Sequence, residues 1–126
     1  MDLIKGSTMD FDQFQNNSRK TWVCIDRLTD EIHIVAGLAE ETGELLGKIK
    51  RLHRDILPTC KNAEEMRAAR RAQRKAIMLE CGDVLYMLAR VADANEFTLM
   101  EAAKENIAKI TDRQNRGVIN GSGDDR

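Results

Sequence analysis

The chain has 126 residues, the usual size of one domain, and its 42% apolar and 33% charged side chains exclude a disordered tail. With 4% aromatics, one proline and scattered β-branched residues, a sandwich or barrel built from many strands and turns is also excluded. Twenty basic against twenty-one acidic side chains leave a net charge of -1, so bulk charge draws the protein to neither nucleic acid nor an anionic membrane.

Four helices are predicted in chain order. Asp10 caps a short first helix from Phe11 to about Lys20, with Phe11 and Phe14 as its apolar contacts. Thr29 is the expected cap of a long second helix, on which Ile32, Val35, Leu38, Thr42, Leu45, Leu46, Ile49 and Leu52 recur at helical spacing. Pro58 ends it, because proline disfavours helical geometry in the residue before it. Asn62 with Glu65 forms a capping-box signature for a third helix, whose expected seam is Ile77, Cys81, Val84, Leu88 and Val91. Thr98 with Glu101 opens a fourth, running through Leu99, Ala103, Ile107 and Ile110. The tail 117–126 (GVINGSGDDR) has three glycines and no periodicity, and is either mobile or a loop ordered by its contacts. Two long helices joined by the short Pro58–Asn62 turn make an antiparallel bundle, and residues 1–126 read as one all-α domain. The helices carry more apolar stripe than one copy can cover, so a homo-oligomer is expected.

No apolar run reaches membrane-span length, and residues 1–15 lack a signal peptide's apolar stretch. Cys24, Cys60 and Cys81 are odd in number and form no Cys-x-x-Cys pair, which suits reduced thiols in a cytoplasm. Cys81, by its angle, is a small filler of the third-helix seam.

Two acidic pairs carry chemistry. Glu41 and Glu44 lie three apart on the second helix, Glu80 and Asp83 three apart on the third, and residues three apart share a face. At about 100° per residue, Glu41 falls within the arc of Leu38, Leu45 and Leu52, and Glu80 between Val84, Met87 and Val91, while Glu40 turns to the polar side. The midpoint between the pairs falls in the turn. At about 1.5 Å per residue both pairs lie about 20–30 Å from it and come level in the hairpin. Facing carboxylates repel and are costly to bury unless a cation neutralises them, and hard ions bound through oxygen, Mg²⁺ or Mn²⁺, answer that need. Surface pairs of this spacing also arise as ordinary solvated helix faces. A di-iron bundle is set aside, since neither His33 nor His53 has a Glu three residues before it.

The two motifs, with their settings LAEETGELLGKIKR and LECGDVLYMLARVA, resemble the paired signature of the MazG-like all-α nucleoside triphosphate pyrophosphohydrolases, and the segment from Glu101 is similar to the C-terminal part of small phage and bacterial members. The resemblance implies a four-helix, oligomeric fold, a homodimer or homotetramer in the cytoplasm. It further implies hydrolysis of a nucleoside triphosphate between its α and β phosphates, with Mg²⁺ held by Glu41, Glu44, Glu80 and Asp83 and Glu41 or Glu44 accepting the proton of the attacking water. Asn106, Lys109, Arg113 and Arg116 match the phosphate-binding positions of the family's last helix, although basic residues there also suit a helix C-terminus. Lys50 matches a basic position after the first motif, yet Lys48 lies on the acidic side by angle, and both are carried. Control of the nucleotide pool is the implied role. Rival readings are a phosphoribosyl-ATP pyrophosphohydrolase and a helical interaction module without catalysis.

Trp22 has two readings, a packing anchor or a surface for stacking a base. His33 and His53 read as surface or packing residues. The run Arg67, Arg70, Arg71, Arg74, Lys75, with Glu64 and Glu65 beside it, reads as a solvated face. Gly121 to Asp124 (GSGD) could close over phosphates but lacks a P-loop's lysine and helix.

Overall fold

A computed structural model describes residues 8–23 and 26–120, so Cys24 and the glycine-rich 121–124 lie outside the described residues. Each helix begins where a side chain satisfies N–H groups that have no partner within the helix. Asp10 accepts from Gln13 N at 2.8 Å, and the Gln13 side chain returns a bond to Asp10 N, opening α1 (Phe11–Arg19). The cap of α2 (Arg27–Arg51) is Asp26 and not Thr29. The Asp26 carboxylate takes both the backbone N–H and the hydroxyl of Thr29, at 3.0 and 2.7 Å, so the threonine that reads as a cap is the cap's partner. Asn62 opens α3 (Ala63–Ala94), but Glu65 reaches past it to Lys61 N, at 2.7 Å. Thr98 and Glu101 form the reciprocal box that opens α4 (Leu99–Asn115).

α2 and α3 pack along one another as the central hairpin. α2 does not stop cleanly: a π-helical turn (Leu52–Ile56) and a 3₁₀ turn (Leu57–Thr59) containing Pro58 carry the chain over. Leu52 and Leu57 are buried and pin this widened turn to the core. Both later helices end in a Schellman motif. In α3, Phe97 N returns to Ala92 O across Glu96, a non-glycine residue at φ 61°. In α4, Val118 N returns to Arg113 O across Gly117 at φ 70°.

The apolar core is small, made of Ile34, Leu52, Leu57, Met87, Ala89 and Ala92. Polar residues complete it. Gln15 is 1% exposed and links three helices: its amide N donates to Asp93 and to Phe97 O, and its amide O accepts from Leu99 N. The expected seam of α3 is only half closed. Ile77, Val84 and Val91 are half-buried, while Cys81 and Leu88 are exposed; the buried residues of α3 are instead Glu80, Met87, Ala89, Arg90 and Ala92, which flank that seam. Cys81 is therefore an exposed thiol and not a core filler. In α1 the buried residues are Gln15 and Ser18, and Phe11 is exposed. Ile32, Val35, Leu46, Leu79 and Ile107 also stay exposed, so the described residues leave apolar helix faces open. No helix among the described residues is long and apolar enough to cross a membrane.

Candidate metal and nucleotide site

The hairpin brings both acidic pairs to one level. Glu41 and Glu44 of α2 and Glu80 of α3 each offer a carboxylate oxygen, and the three oxygens lie within 4.8 Å of one another. Glu80 is buried, Glu41 half-buried and Glu44 exposed, so the group spans the boundary between core and solvent. Partial burial pushes the Glu41 carboxyl above its ordinary range, and the charges of Asp83, Glu44, Glu40 and Glu80 push it the same way. Facing carboxylates repel, and a hard cation relieves that repulsion; an all-oxygen donor set suits Mg²⁺ or Mn²⁺. One protein cation already leans in: Lys48 Nζ lies 3.4 Å from Glu80 Oε1.

Asp83 is exposed and stands outside this tight group of three, but it shares a cleft with Glu41. That cleft, of about 390 Å³, is lined by Trp22, His33, Gly37, Glu40, Glu41, Asp83, Tyr86 and Met87. One wall is aromatic. The Trp22 ring sits 5.4 Å from that of His33 and 6.2 Å from that of Tyr86, both tilted, and its Nε1 donates to Asp30 at 2.7 Å. The carboxylates stand on the same helix faces, Glu40 and Glu41 with His33 on α2 and Asp83 with Tyr86 on α3. Gly37 lets the two long helices close here, since a Cβ at this position would collide with the Met87 side chain.

The remaining candidates scatter. Lys50 is exposed and lends its charge to Asp55, so of the two lysines it is Lys48 that faces the acids. Asn106 and Lys109 are exposed on α4, Arg113 is buried there, and Arg116 pairs with Asp112 one turn back. None of these four lines the Glu41 cleft. The run Arg67, Arg70, Arg71, Arg74, Lys75 is exposed throughout.

Reading by residue angle misses Glu40, His33, Gly37, Tyr86 and Met87. Glu40, assigned to the polar side, borders the cleft, because the cleft opens on that side of α2. A usable signal was present: 33, 37, 40 and 41 share one face of α2, and 83, 86 and 87 share one face of α3.

Residues 29–118 match the family model described as the MazG nucleotide pyrophosphohydrolase domain. The chain is 32% identical over 96 residues, 75% of each chain, to the Gene 37 protein of Mycobacterium phage L5. No solved structure matches significantly.

Proposed function

The chain belongs to the MazG nucleotide pyrophosphohydrolase family, and from that premise we propose that it hydrolyses (deoxy)nucleoside triphosphates to a monophosphate and pyrophosphate with the help of Mg²⁺. The observation that carries this reading is the convergence of Glu41, Glu44 and Glu80 from two helices. Glu41, Glu44, Glu80 and Asp83 are the metal ligands in this reading, and Mn²⁺ fits the same oxygens. When bound, the divalent ion neutralises phosphate oxygens and makes a water molecule more acidic. Water adds to the α phosphorus, the bond to the α–β bridging oxygen breaks, and pyrophosphate leaves with that oxygen. Whichever of Glu41 and Glu44 the ion engages less fully accepts the water's proton. Lys48 offsets charge beside Glu80 and helps hold the polyphosphate. Trp22 lines the same cleft as Glu41 and stacks on the base.

Asn106, Lys109 and Arg116 bind phosphate in this reading, while Arg113, buried in its own chain, is left out of it. Since these three do not line the cleft of their own chain, a homodimer or homotetramer brings the α4 of one copy to the carboxylates of another. The open apolar faces of α2, α3 and α4 supply the contact area for such packing. The biological setting we infer is cytoplasmic removal of surplus or non-standard nucleotides.

The test is release of pyrophosphate from a panel of canonical and modified triphosphates and phosphoribosyl-ATP, with Mg²⁺ and with EDTA. Metal-dependent pyrophosphate and monophosphate in equal amounts support the reading. Release of single phosphates puts the cleavage at the wrong bond, activity confined to phosphoribosyl-ATP changes the substrate, and silence across the panel overturns catalysis.

A further inference from the structure

The aromatic wall of the cleft is not held by the helices that carry the carboxylates alone. Trp22 follows the C-terminus of α1, and both α1 and Trp22 precede the residues that match the family model. What fixes this corner is a buried polar network centred on Arg90 of α3, which is 4% exposed. An Arg90 terminal nitrogen donates to Ser18 Oγ at 2.7 Å and to Gln15 O at 3.3 Å, both on α1, and lies 2.9 Å from Asp93 Oδ2. Asp93 is shared: Gln15 donates to it at 2.6 Å and Arg19 Nε at 2.9 Å. The Arg90 guanidinium also lies over the Tyr86 ring, 5.8 Å from its centre. The Tyr86 hydroxyl in turn shares a hydrogen bond of 3.0 Å with Thr21 Oγ1, one residue before Trp22.

The geometry points to Arg90 as a positioning residue for the nucleotide site: through Ser18, Thr21 and Tyr86 it locks the end of α1 so that Trp22 and Tyr86 form a fixed wall of the cleft that Glu41 and Asp83 also line. This inference rests on the proposed nucleotide chemistry only for what the wall touches. The wall's rigidity is a property of the free protein. Removing the network should leave the carboxylates in place, since Glu41, Glu44 and Glu80 lie on the α2–α3 hairpin and not on α1. Its loss therefore weakens substrate binding more than the chemical step.

Trp22 is the chain's single tryptophan, so its fluorescence reports this corner alone. The variants are Arg90→Met and Thr21→Val. The second removes an exposed hydroxyl that bonds to Tyr86 and donates to Ser18 O, leaves the Arg90 and Asp93 pairs intact and decides the matter if the first does not fold. In both, acrylamide quenching of Trp22 should rise about twofold or more, and KM should rise about three- to tenfold with kcat within about twofold, the scale of one lost hydrogen bond. Arg90→Lys should restore neither value fully, because an ammonium cannot reproduce the guanidinium's several directed donors. Unchanged Trp22 quenching in folded Arg90→Met or in Thr21→Val overturns the positioning role. Raised quenching with an unchanged KM overturns the wall's contact with substrate. If the wild type cleaves no triphosphate, the proposed function fails while the quenching comparison still decides whether Arg90 positions Trp22.

Discussion

Replacing Glu41 by Gln should make the metal-free protein more stable and the metal-loaded protein less responsive. In the free protein Glu41 faces Glu44 and Glu80 within 4.8 Å. At that separation two unit charges in a water-like dielectric repel by about 0.9 kcal/mol, and screening at physiological salt roughly halves it. Two such neighbours give about 1 kcal/mol, and partial burial adds in the same direction. For a domain of this size that is a rise in Tm of about 3–4 °C in EDTA. The wild type, by contrast, should gain about 1.4 kcal/mol when Mg²⁺ reaches ten times its Kd, and Glu41→Gln should lose most of that gain. The two proteins thus exchange order between EDTA and Mg²⁺, a crossing that scanning calorimetry reads directly. The sign of the pH control follows from the raised carboxyl: its penalty is absent below the unfolded carboxylate range near ~4.3 and complete above the folded value. The EDTA advantage of Gln should therefore be present at neutral pH and vanish near pH ~4. A variant that melts below the wild type in EDTA would refute the repulsion, and one that keeps the full Mg²⁺ gain would refute the ligand assignment.

Three more outcomes follow from the contacts. Lys48→Gln should lower the metal-free Tm by about 2–4 °C because it strips the cation from Glu80, whereas Lys50→Gln should stay within about 1 °C, both by thermal melting in EDTA. Asp93→Asn should cost about 2–4 kcal/mol in urea unfolding, since it weakens contacts to Gln15, Arg19 and Arg90 at once. Burial alone would raise Asp93, but the bonds from Arg19 and Gln15 and the charges of Arg90 and Arg19 outweigh it and hold the carboxyl low. Its stabilisation is thus complete above the unfolded value near ~3.9 and lost as pH falls through the lower folded value, so the wild type should lose its margin over Asn in acid. Glu96→Gly should add about 0.5–1 kcal/mol by relieving a left-handed residue at φ 61°, measured by the same urea titration.

Local chemistry in the chain already specified most of the helices and half of the site. Asp10, Asn62 and Thr98 are caps because a side-chain oxygen can reach an N–H three residues on, an interaction written within a few residues. The level placement of Glu41, Glu44 and Glu80 followed from a fixed rise per residue on both sides of one turn. The cap of α2 was misread because Asp26 and Thr29 both carry capping oxygens, and spacing alone does not say which accepts.

What the tertiary structure alone decided is where polarity is buried and where the cleft opens. Periodicity arguments weight apolar residues, so Gln15, Ser18 and Arg90 pass as surface positions, yet they bind partners 72 to 84 residues away in the chain. The same blindness hid the cleft. Glu40 and His33 already share a face of α2 with Glu41, but Tyr86 and Trp22 become its neighbours only once α2, α3 and the end of α1 are packed. Short-range geometry wrote the helices and the register of the carboxylates into the chain. Which side chains from other segments stand beside those carboxylates, with Asp83 set apart from the tight three and Trp22 in the same cleft, depends on contacts between distant segments that no local pattern encodes.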